Sequence, residues 1–326
     1  MPVLMKRTPG RQTAEDMNAG WMPGNKAASA DDLTSFPEIA GGENTFLPHC
    51  RNVKCKSGWM KLWRSRQAPI LEGKWACSSA CMQELVLAAI LREVGQKNSQ
   101  SPVHQHRVPL GLVLLSRGWI THEQLKSALE AQKKAGSGRL GEWLVRQNVV
   151  NEEHIARALG AQWNCPVLPS NSHDPAAMAQ MFPRLLIDSL NVIPLRLAGR
   201  HLLYVAFEER VDRCLVLAVE RMLGVKVEAG VLRESEFRRL QQEILRALFP
   251  KTRLLEAMNL RGLVHSFTGM IEESKPVQAR IVRIHDYFWL RLWRSAGSGK
   301  DQESLLGHNN VEDMVCSLNG EGLISS

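Results

Sequence analysis

The sequence predicts an α+β protein of several domains, in which a duplicated helical-hairpin module is followed by a small α/β subdomain and preceded by a small zinc-binding module. Three observations support this prediction. A helical pattern occurs twice, thirty residues apart, between residues 107 and 168. From 169 to 249 the apolar spacing changes between the periods of strands and helices. From 47 to 95, two close cysteine pairs have the spacing of metal ligands.

Length and charge limit the function classes. The chain has 326 residues, enough for two or three domains, and its formal net charge of +8 favours an acidic partner, such as nucleic acid, nucleotide or acidic protein. No apolar run approaches the roughly 18 to 20 residues that cross a bilayer, and the first residues lack a secretory signal. We therefore expect a cytosolic protein without membrane insertion. Residues 1–46, rich in small and polar residues, are predicted to be a disordered tail.

Four cysteines in two close pairs mark the segment 47–95. Four thiolates from such pairs suit a closed tetrahedral zinc site, and the lack of an export signal argues against the alternative of disulfides. The predicted metal ligands are Cys50, Cys55, Cys77 and Cys81, and His49 is an alternative for one of them. Ser78 or Ser79 is predicted to cap a helix that ends at Gly95. The arrangement resembles a treble-clef or zinc-ribbon module.

The same segment is basic and rich in tryptophan. Between His49 and Trp75 one acid, Glu72, faces seven basic residues, which are Arg51, Lys54, Lys56, Lys61, Arg64, Arg66 and Lys74. Interleaved with Trp59, Trp63 and Trp75, they could bind nucleic acid through phosphate contacts and base stacking. In the alternative interpretation, the tryptophans fill a small core around the zinc and the charges solvate its surface.

After a polar linker over 96–106, one pattern is written twice. The first copy has Pro109, Leu110, Gly111, Leu114, Gly118, Thr121, Leu125, Leu129 and Gln132. The second has Arg139, Leu140, Gly141, Leu144, Asn148, Asn151, Ile155, Leu159 and Gln162, at the same offset throughout. Gly118 and Asn148 suit the left-handed conformation that ends a helix, and Thr121 and Asn151 are good N-caps. Each copy is therefore predicted to be a short helix, a tight stop and a capped helix.

This pattern resembles the MshEN domain, the cyclic di-GMP-binding domain at the N-terminus of type II secretion and type IV pilus assembly ATPases. The family motif has Arg-Leu-Gly, three further leucines and a Gln, written twice. The second copy, 139–162, fits at every position if Ile155 stands for Leu. In the first copy Pro109 takes the place of the Arg, for which Arg107 is close enough to substitute, and the spacer Lys133–Gly138 is one residue longer. The resemblance continues to about Phe249.

The resemblance implies cyclic di-GMP as a ligand and carries its binding residues over by position. They are Arg107, Leu110, Gly111, Leu114, Leu125, Leu129, Gln132, Arg139, Leu140, Gly141, Leu144, Ile155, Leu159 and Gln162. The chemistry suits a nucleotide, because guanidinium groups fork onto phosphate or a guanine edge and a Gln amide both donates and accepts. Alternatively, the leucines simply form a four-helix core.

The remaining segments carry no chemistry of their own. A hairpin around Gly199, a helix ending at Gly224, a strand and a last helix are predicted for the α/β subdomain, 169–249. From Lys251 we expect a helix or helix pair with a weak point at Gly262, then a Trp-rich extended segment to residue 295. Residues 296–326 are predicted to be a flexible tail.

The motor motifs of the secretion ATPases are missing from the sequence. Gly297–Lys300 resembles part of a Walker A loop, but Arg294 replaces its first Gly and Asp301 its Ser or Thr. No nucleophile elbow is found. The sequence therefore predicts a non-catalytic cytosolic regulator or adaptor that binds cyclic di-GMP, a protein partner of secretion or pilus type, or both. The alternative is a zinc-containing nucleic-acid-binding protein.

Overall fold

The computed structural model describes residues 50–55, 69–99, 107–171, 173–199, 201–294 and 311–318. Helices and strands of two sheets alternate along them, which confirms the predicted α+β class. The predicted tail over 1–46 lies outside the described residues. None of the described helices is long and apolar enough to span a bilayer.

The first described elements are a tight hairpin and a long helix. Strands β1 (Ile70–Leu71) and β2 (Lys74–Trp75) are antiparallel and flank a tight turn, in which Glu72 and Gly73 have φ of 49° and 73°. Helix α1 (Ser79–Ser99) follows. It passes through Gly95, so the predicted helix end and the first residues of the predicted linker were wrong. A Gly ends a helix where it takes the left-handed conformation. A Gly with helical dihedral angles is tolerated inside a helix, at a cost of about 1 kcal/mol in stability relative to Ala.

The duplicated module consists of four helices, as predicted. They are α2 (Leu110–Ser116), α3 (His122–Ala135), α4 (Leu140–Arg146) and α5 (Glu152–Trp163). Gly118 and Asn148 have positive φ of 68° and 54° after the short helices. Thr121 forms the predicted capping box with Gln124, and the Asn151 side chain caps α5. Helix α2 packs against α5 and α3 against α4, so each copy contacts the other reciprocally.

The α/β subdomain follows as a three-stranded sheet with helices around it. Its elements are α6 (Pro175–Ala179), α7 (Arg184–Ser189), β3 (Val192–Ala198), β4 (Leu202–Phe207), α8 (Arg213–Leu223), β5 (Lys226–Val231) and α9 (Glu234–Leu245). The strand order is β3-β4-β5, with β3 and β4 antiparallel and β4 and β5 parallel. The parallel pair places the carboxyl ends of β4 and β5 at one edge, because Phe207 is level with Val231.

A six-stranded sheet joins the two ends of the chain. Its later elements are β6 (Lys251–Ala257), α10 (Leu260–Ser274), β7 (Gln278–Ile284), β8 (Tyr287–Trp293) and β9 (Val311–Leu318). The strand order is β2-β1-β7-β8-β9-β6, and β1 pairs with β7 through Leu71 and Ala279. The hairpin before α1 is therefore part of this sheet, and residues 69–99 do not pack as an isolated module.

Two predictions for the C-terminal region were wrong. The segment from Lys251 is strand β6, and the helix begins only at Leu260, where Asn259 caps the N–H of Gly262. Within the predicted tail, strand β9 lies between β8 and β6 with most of its residues buried. Its charged residues hide the strand pattern, because Glu312 and Asp313 are buried against arginines distant in sequence.

The large sheet shares a core with each of its neighbours. One core contains α/β-subdomain residues together with Val282, Trp289 and Val315 of the large sheet. A second joins α1 and α10 to other residues of that sheet, including Leu290. The helical module has its own small core, in which Leu114 and Leu144 are fully buried. The α/β subdomain therefore depends on the C-terminal strands for part of its packing.

Candidate functional site

A cavity of about 460 Å³ lies between the helical module and the α/β subdomain. This volume is within the usual range of small-molecule sites, about 300 to 1,000 Å³. Eight of the residues predicted to bind nucleotide line it, namely Leu110, Gln132, Arg139, Leu140, Gly141, Ile155, Leu159 and Gln162. The α/β subdomain closes the other side with Glu208, Glu209, Arg210 and Glu234. The cavity therefore brings most of the second copy together with two residues of the first.

The other predicted residues are not part of the cavity lining, although Arg107 contacts Trp163, which is. Leu114 and Leu144 are fully buried in the module's core, in agreement with the alternative interpretation of the leucines. Leu125 and Leu129 line a shallow groove of about 280 Å³ on α3. The two copies are thus unequal, and the cavity belongs mainly to the second.

Small residues on α5 explain why only one copy forms the cavity. Ala156 and Gly160 of α5 are buried, and α5 packs on β5 and α9 of the α/β subdomain. The equivalent residues of α3, thirty positions earlier, are the exposed and charged Lys126 and Glu130. A charged pair on this face keeps α3 in solvent, so its groove stays open.

The paired glycines have a packing role. A Cβ added to Gly111 would lie 2.8 Å from Cδ1 of Leu125, and one added to Gly141 would lie 3.1 Å from Cγ2 of Ile155. Each glycine therefore lets the short helix of its copy lie close to the long one. This accounts for Gly111 and Gly141 without any ligand.

The paired glutamines form reciprocal hydrogen bonds between the copies. Nε2 of Gln132 donates to the carbonyl of Gly138, directly before the second Arg-Leu-Gly position, at 2.8 Å. Nε2 of Gln162 donates to the carbonyl of Val108, at the equivalent place before the first copy, also at 2.8 Å. Each glutamine thus fixes the segment that leads into the short helix of the other copy.

Arg139 lies at one end of the cavity among carboxylates. Its guanidinium contacts Glu142 and Glu208 at 2.8 Å, Glu209 at 2.6 Å and Glu234 at 3.4 Å. Burial alone would lower the pKa of Arg139, but hydrogen bonds to Glu208, Glu142 and Glu209 raise it overall. Arg139 therefore ties the helical module to the α/β subdomain, and we call this part of the cavity its acidic end.

The cavity also has an aromatic and basic part. Arg107 stacks on Trp163, with its guanidinium carbon 3.2 Å from the ring centroid, and that of Arg210 lies 5.7 Å away from it. Burial, followed by the nearby charges of Arg210 and Arg213, lowers the pKa of Arg107. We call this part of the cavity, around Trp163, its basic end.

Sequence reasoning missed the residues that the α/β subdomain contributes. Glu208, Glu209 and Arg210 follow strand β4, and Glu234 follows β5. Ligand crevices of parallel sheets lie outside the carboxyl ends of the strands, so the charged run after β4 was a usable signal. Trp163, at the end of α5, was missed because it follows the last position of the repeated motif.

The four predicted cysteines come together at the start of α1. Their sulfur atoms all lie within 4.8 Å of one another, with Cys55 and Cys77 at 3.5 Å and Cys77 and Cys81 at 3.7 Å. A tetrahedral zinc with Zn–S bonds of about 2.3 Å would place its sulfurs about 3.8 Å apart. None of the four forms a disulfide, and burial raises the pKa of Cys50 to about 11. The cluster therefore fits a divalent cation, which would hold these thiols as thiolates. His49 lies outside the described residues.

The basic tryptophan-rich segment is described only at its ends. Arg51, Lys54 and Lys74 are exposed, and Lys54 pairs with Glu84 at 3.0 Å. The residues Lys56, Trp59, Lys61, Trp63, Arg64 and Arg66 lie outside the described residues. The nucleic-acid alternative therefore stays a prediction.

Part of the chain is similar in sequence to a pilus assembly ATPase and to a bacteriophage adsorption protein. Over 132 residues the chain is 30% identical to the type IV pilus assembly ATPase PilB of Thermus thermophilus. This match covers 39% of this chain and 14% of PilB. Over 120 residues it is 31% identical to bacteriophage adsorption protein B of Escherichia coli K12, which covers 36% of this chain and 16% of that protein. The chain thus spans only about a seventh of the length of these curated relatives.

Two solved structures are similar over a comparable share of the chain. A structure of MshE with cdg matches with 23% identity and a TM-score of 0.35, covering 42% of this chain and 99% of that chain. The N-terminal domain of XpsE matches with 19% identity and a TM-score of 0.31, covering 41% of this chain and 92% of that chain. No family model matches the sequence.

Proposed function

We propose that this protein is a non-catalytic regulator or adaptor related to the N-terminal domains of secretion and pilus ATPases, and that its cavity binds cyclic di-GMP. One observation carries the proposal. Eight residues that the duplicated motif marks as nucleotide ligands line a single cavity, at the carboxyl ends of two parallel strands. The partial similarity to PilB supports the same assignment.

The lining suits a guanine nucleotide. Leu110, Leu140, Ile155 and Leu159 offer apolar surface for the faces of a base and a ribose. The carboxylates of the acidic end are acceptors, and the Watson–Crick edge of guanine offers N–H donors at N1 and N2. Arg139 could fork onto guanine or phosphate if ligand binding drew it away from its four carboxylates.

The carboxylates of the cavity are mostly held in ion pairs. Of the five glutamates that line it, Glu142, Glu208, Glu209 and Glu234 pair with Arg139. The proposal therefore assigns ligand recognition to the cavity and no chemical step.

The cysteine cluster is proposed to hold a structural zinc. Four protein thiolates would leave no open position for substrate, as in other closed sites. Cys77 and Cys81 are buried where α1 begins, and Cys50 and Cys55 come from the loop before the hairpin. The metal would thus tie this loop to the helix. Elemental analysis of the purified protein should find one zinc per chain, and the Cys77→Ser/Cys81→Ser variant should lose it while Cys316→Ser keeps it. An absence of zinc from the wild type would contradict this assignment.

Calorimetry of the full chain with cyclic di-GMP tests the ligand. The full chain is required because the α/β subdomain shares its core with the C-terminal strands. We expect saturable heat from the wild type and its loss in Arg139→Ala. The matched control is Arg146→Ala, since Arg146 lies on the same helix but is 63% exposed.

Thermal unfolding of each variant establishes whether a loss of heat reflects misfolding. No heat from folded wild-type protein at high micromolar ligand would refute cyclic di-GMP binding. A protein partner of secretion or pilus type, which the similarity to PilB favours, would then be the remaining candidate.

A further inference from the structure

Two arginines converge on Trp163, which lines the cavity. The guanidinium carbon of Arg107 lies 3.2 Å from the ring centroid of Trp163, and the guanidinium of Arg210 approaches the same ring from the loop after β4. Gln162 fixes this arrangement, because it holds the carbonyl of Val108, the residue after Arg107.

Within the part of the chain that the structure describes, neither Arg107 nor Arg210 forms a salt bridge, whereas Arg139, which also lines the cavity, forms four. Nη1 of Arg107 is buried and has no hydrogen-bond partner there. Asp212, two residues after Arg210, caps α8 and pairs with His285.

A buried guanidinium N–H without an acceptor, beside a like charge, is costly unless an anion completes the site. Arginine around an aromatic ring suits phosphate in particular, because the fork binds two oxygens while the ring holds the fork in place. The carboxylates of the acidic end would repel a phosphate. The arginines around Trp163 are therefore the better place for an anion.

We propose that Arg107 and Arg210, gathered around Trp163, form a subsite for the phosphate of the bound ligand. The identity of the ligand as cyclic di-GMP rests on the function proposed above. In this arrangement a phosphodiester lies at the basic end, and the donor-rich edge of a guanine lies toward the acidic end.

Calorimetry with two probes tests the subsite on the full chain. Cyclic di-GMP is titrated into wild type, Arg210→Ala, Arg107→Ala and the control Arg117→Ala. Arg117 is exposed and lies 5.2 Å from the ring of Trp119, so it reproduces an arginine–tryptophan contact outside the cavity. Losing one charge-assisted contact should weaken binding by about tenfold to a hundredfold in the first two variants, and leave the control at wild-type affinity. Inorganic pyrophosphate is the second probe.

The outcomes separate this subsite from the proposed ligand. If cyclic di-GMP binds wild type and Arg210→Ala equally well, the subsite is refuted while the proposed function stands. If only pyrophosphate binds, and Arg210→Ala weakens it, the subsite stands and cyclic di-GMP is refuted. If neither probe binds folded wild-type protein, the subsite is refuted. Because Arg210 is exposed and bears no structural contact to a carboxylate, its variant is expected to fold.

Discussion

Strand β9, which the sequence did not predict, depends on the buried ion pair between Asp313 and Arg291. This dependence can be tested directly. Asp313 is 0% exposed and accepts hydrogen bonds at 2.8 Å from Nε and Nη2 of Arg291 and from Nε1 of Trp289. Arg291, 1% exposed, also donates through Nη1 to the carbonyl of Met181 in the α/β subdomain. The pair thus links β8, β9 and the neighbouring subdomain.

Asp313→Ala would leave the Arg291 charge buried without its counter-ion. Breaking such a pair costs about 3 to 5 kcal/mol, because the remaining charge keeps its desolvation penalty. Urea unfolding of the full chain, followed by tryptophan fluorescence, should show the midpoint lowered by on the order of 1 M. Asp188→Ala, at an exposed aspartate, is the matched control and should unfold close to wild type.

A double replacement separates charge burial from loss of packing. Arg291→Met/Asp313→Leu removes both charges, and most of the lost stability should return. Recovery should stay incomplete, because Nε1 of Trp289 still lacks an acceptor. If Asp313→Ala unfolds at the same urea concentration as Asp188→Ala, the pair is not buried as described and the reasoning fails.

Three further predictions concern pH, packing and base selectivity. Hydrogen bonding to Asp212 raises the pKa of His285 above its ordinary 6.5, so the pair's contribution to stability is present below that value. It should be lost as pH rises through the raised pKa, and His285→Asn should remove this part of the pH dependence of thermal unfolding. Gly111→Ala should cost about 1 to 3 kcal/mol in urea unfolding, since its Cβ would meet Leu125 at 2.8 Å. Gly269→Ala, at a helical glycine with no atom within 4 Å of an added Cβ, should instead stabilise the protein by up to about 1 kcal/mol. Cyclic di-AMP should bind at least about tenfold more weakly than cyclic di-GMP in calorimetry, because adenine presents an acceptor where guanine presents a donor; equal affinities would contradict the orientation proposed for the base.

The duplicated module shows which structural features can be predicted from local sequence patterns. Gly118, Asn148, Thr121 and Asn151 act within a few residues of themselves, so their helix stops and caps were predictable from spacing alone. The four-cysteine cluster was predictable for a similar reason. Each pair is close in sequence, so only one long-range contact, between the two pairs, is needed to form the cluster. The difference between the two copies was also visible in the sequence, in the small residues of α5. Its consequence, that only the second copy forms the cavity, was not predicted.

The sequence by itself determined the α+β class and the repeated helical hairpins, and it predicted the residues proposed to hold a metal or a nucleotide. Only the tertiary structure decided which of them share a cavity, that four carboxylates surround Arg139, and that a strand lies within the predicted tail. The physical reason is the range of the interactions. Caps, helix periods and turns depend on neighbours a few residues away, whereas Glu234 meets Arg139, and Arg291 meets Met181, only after distant elements pack.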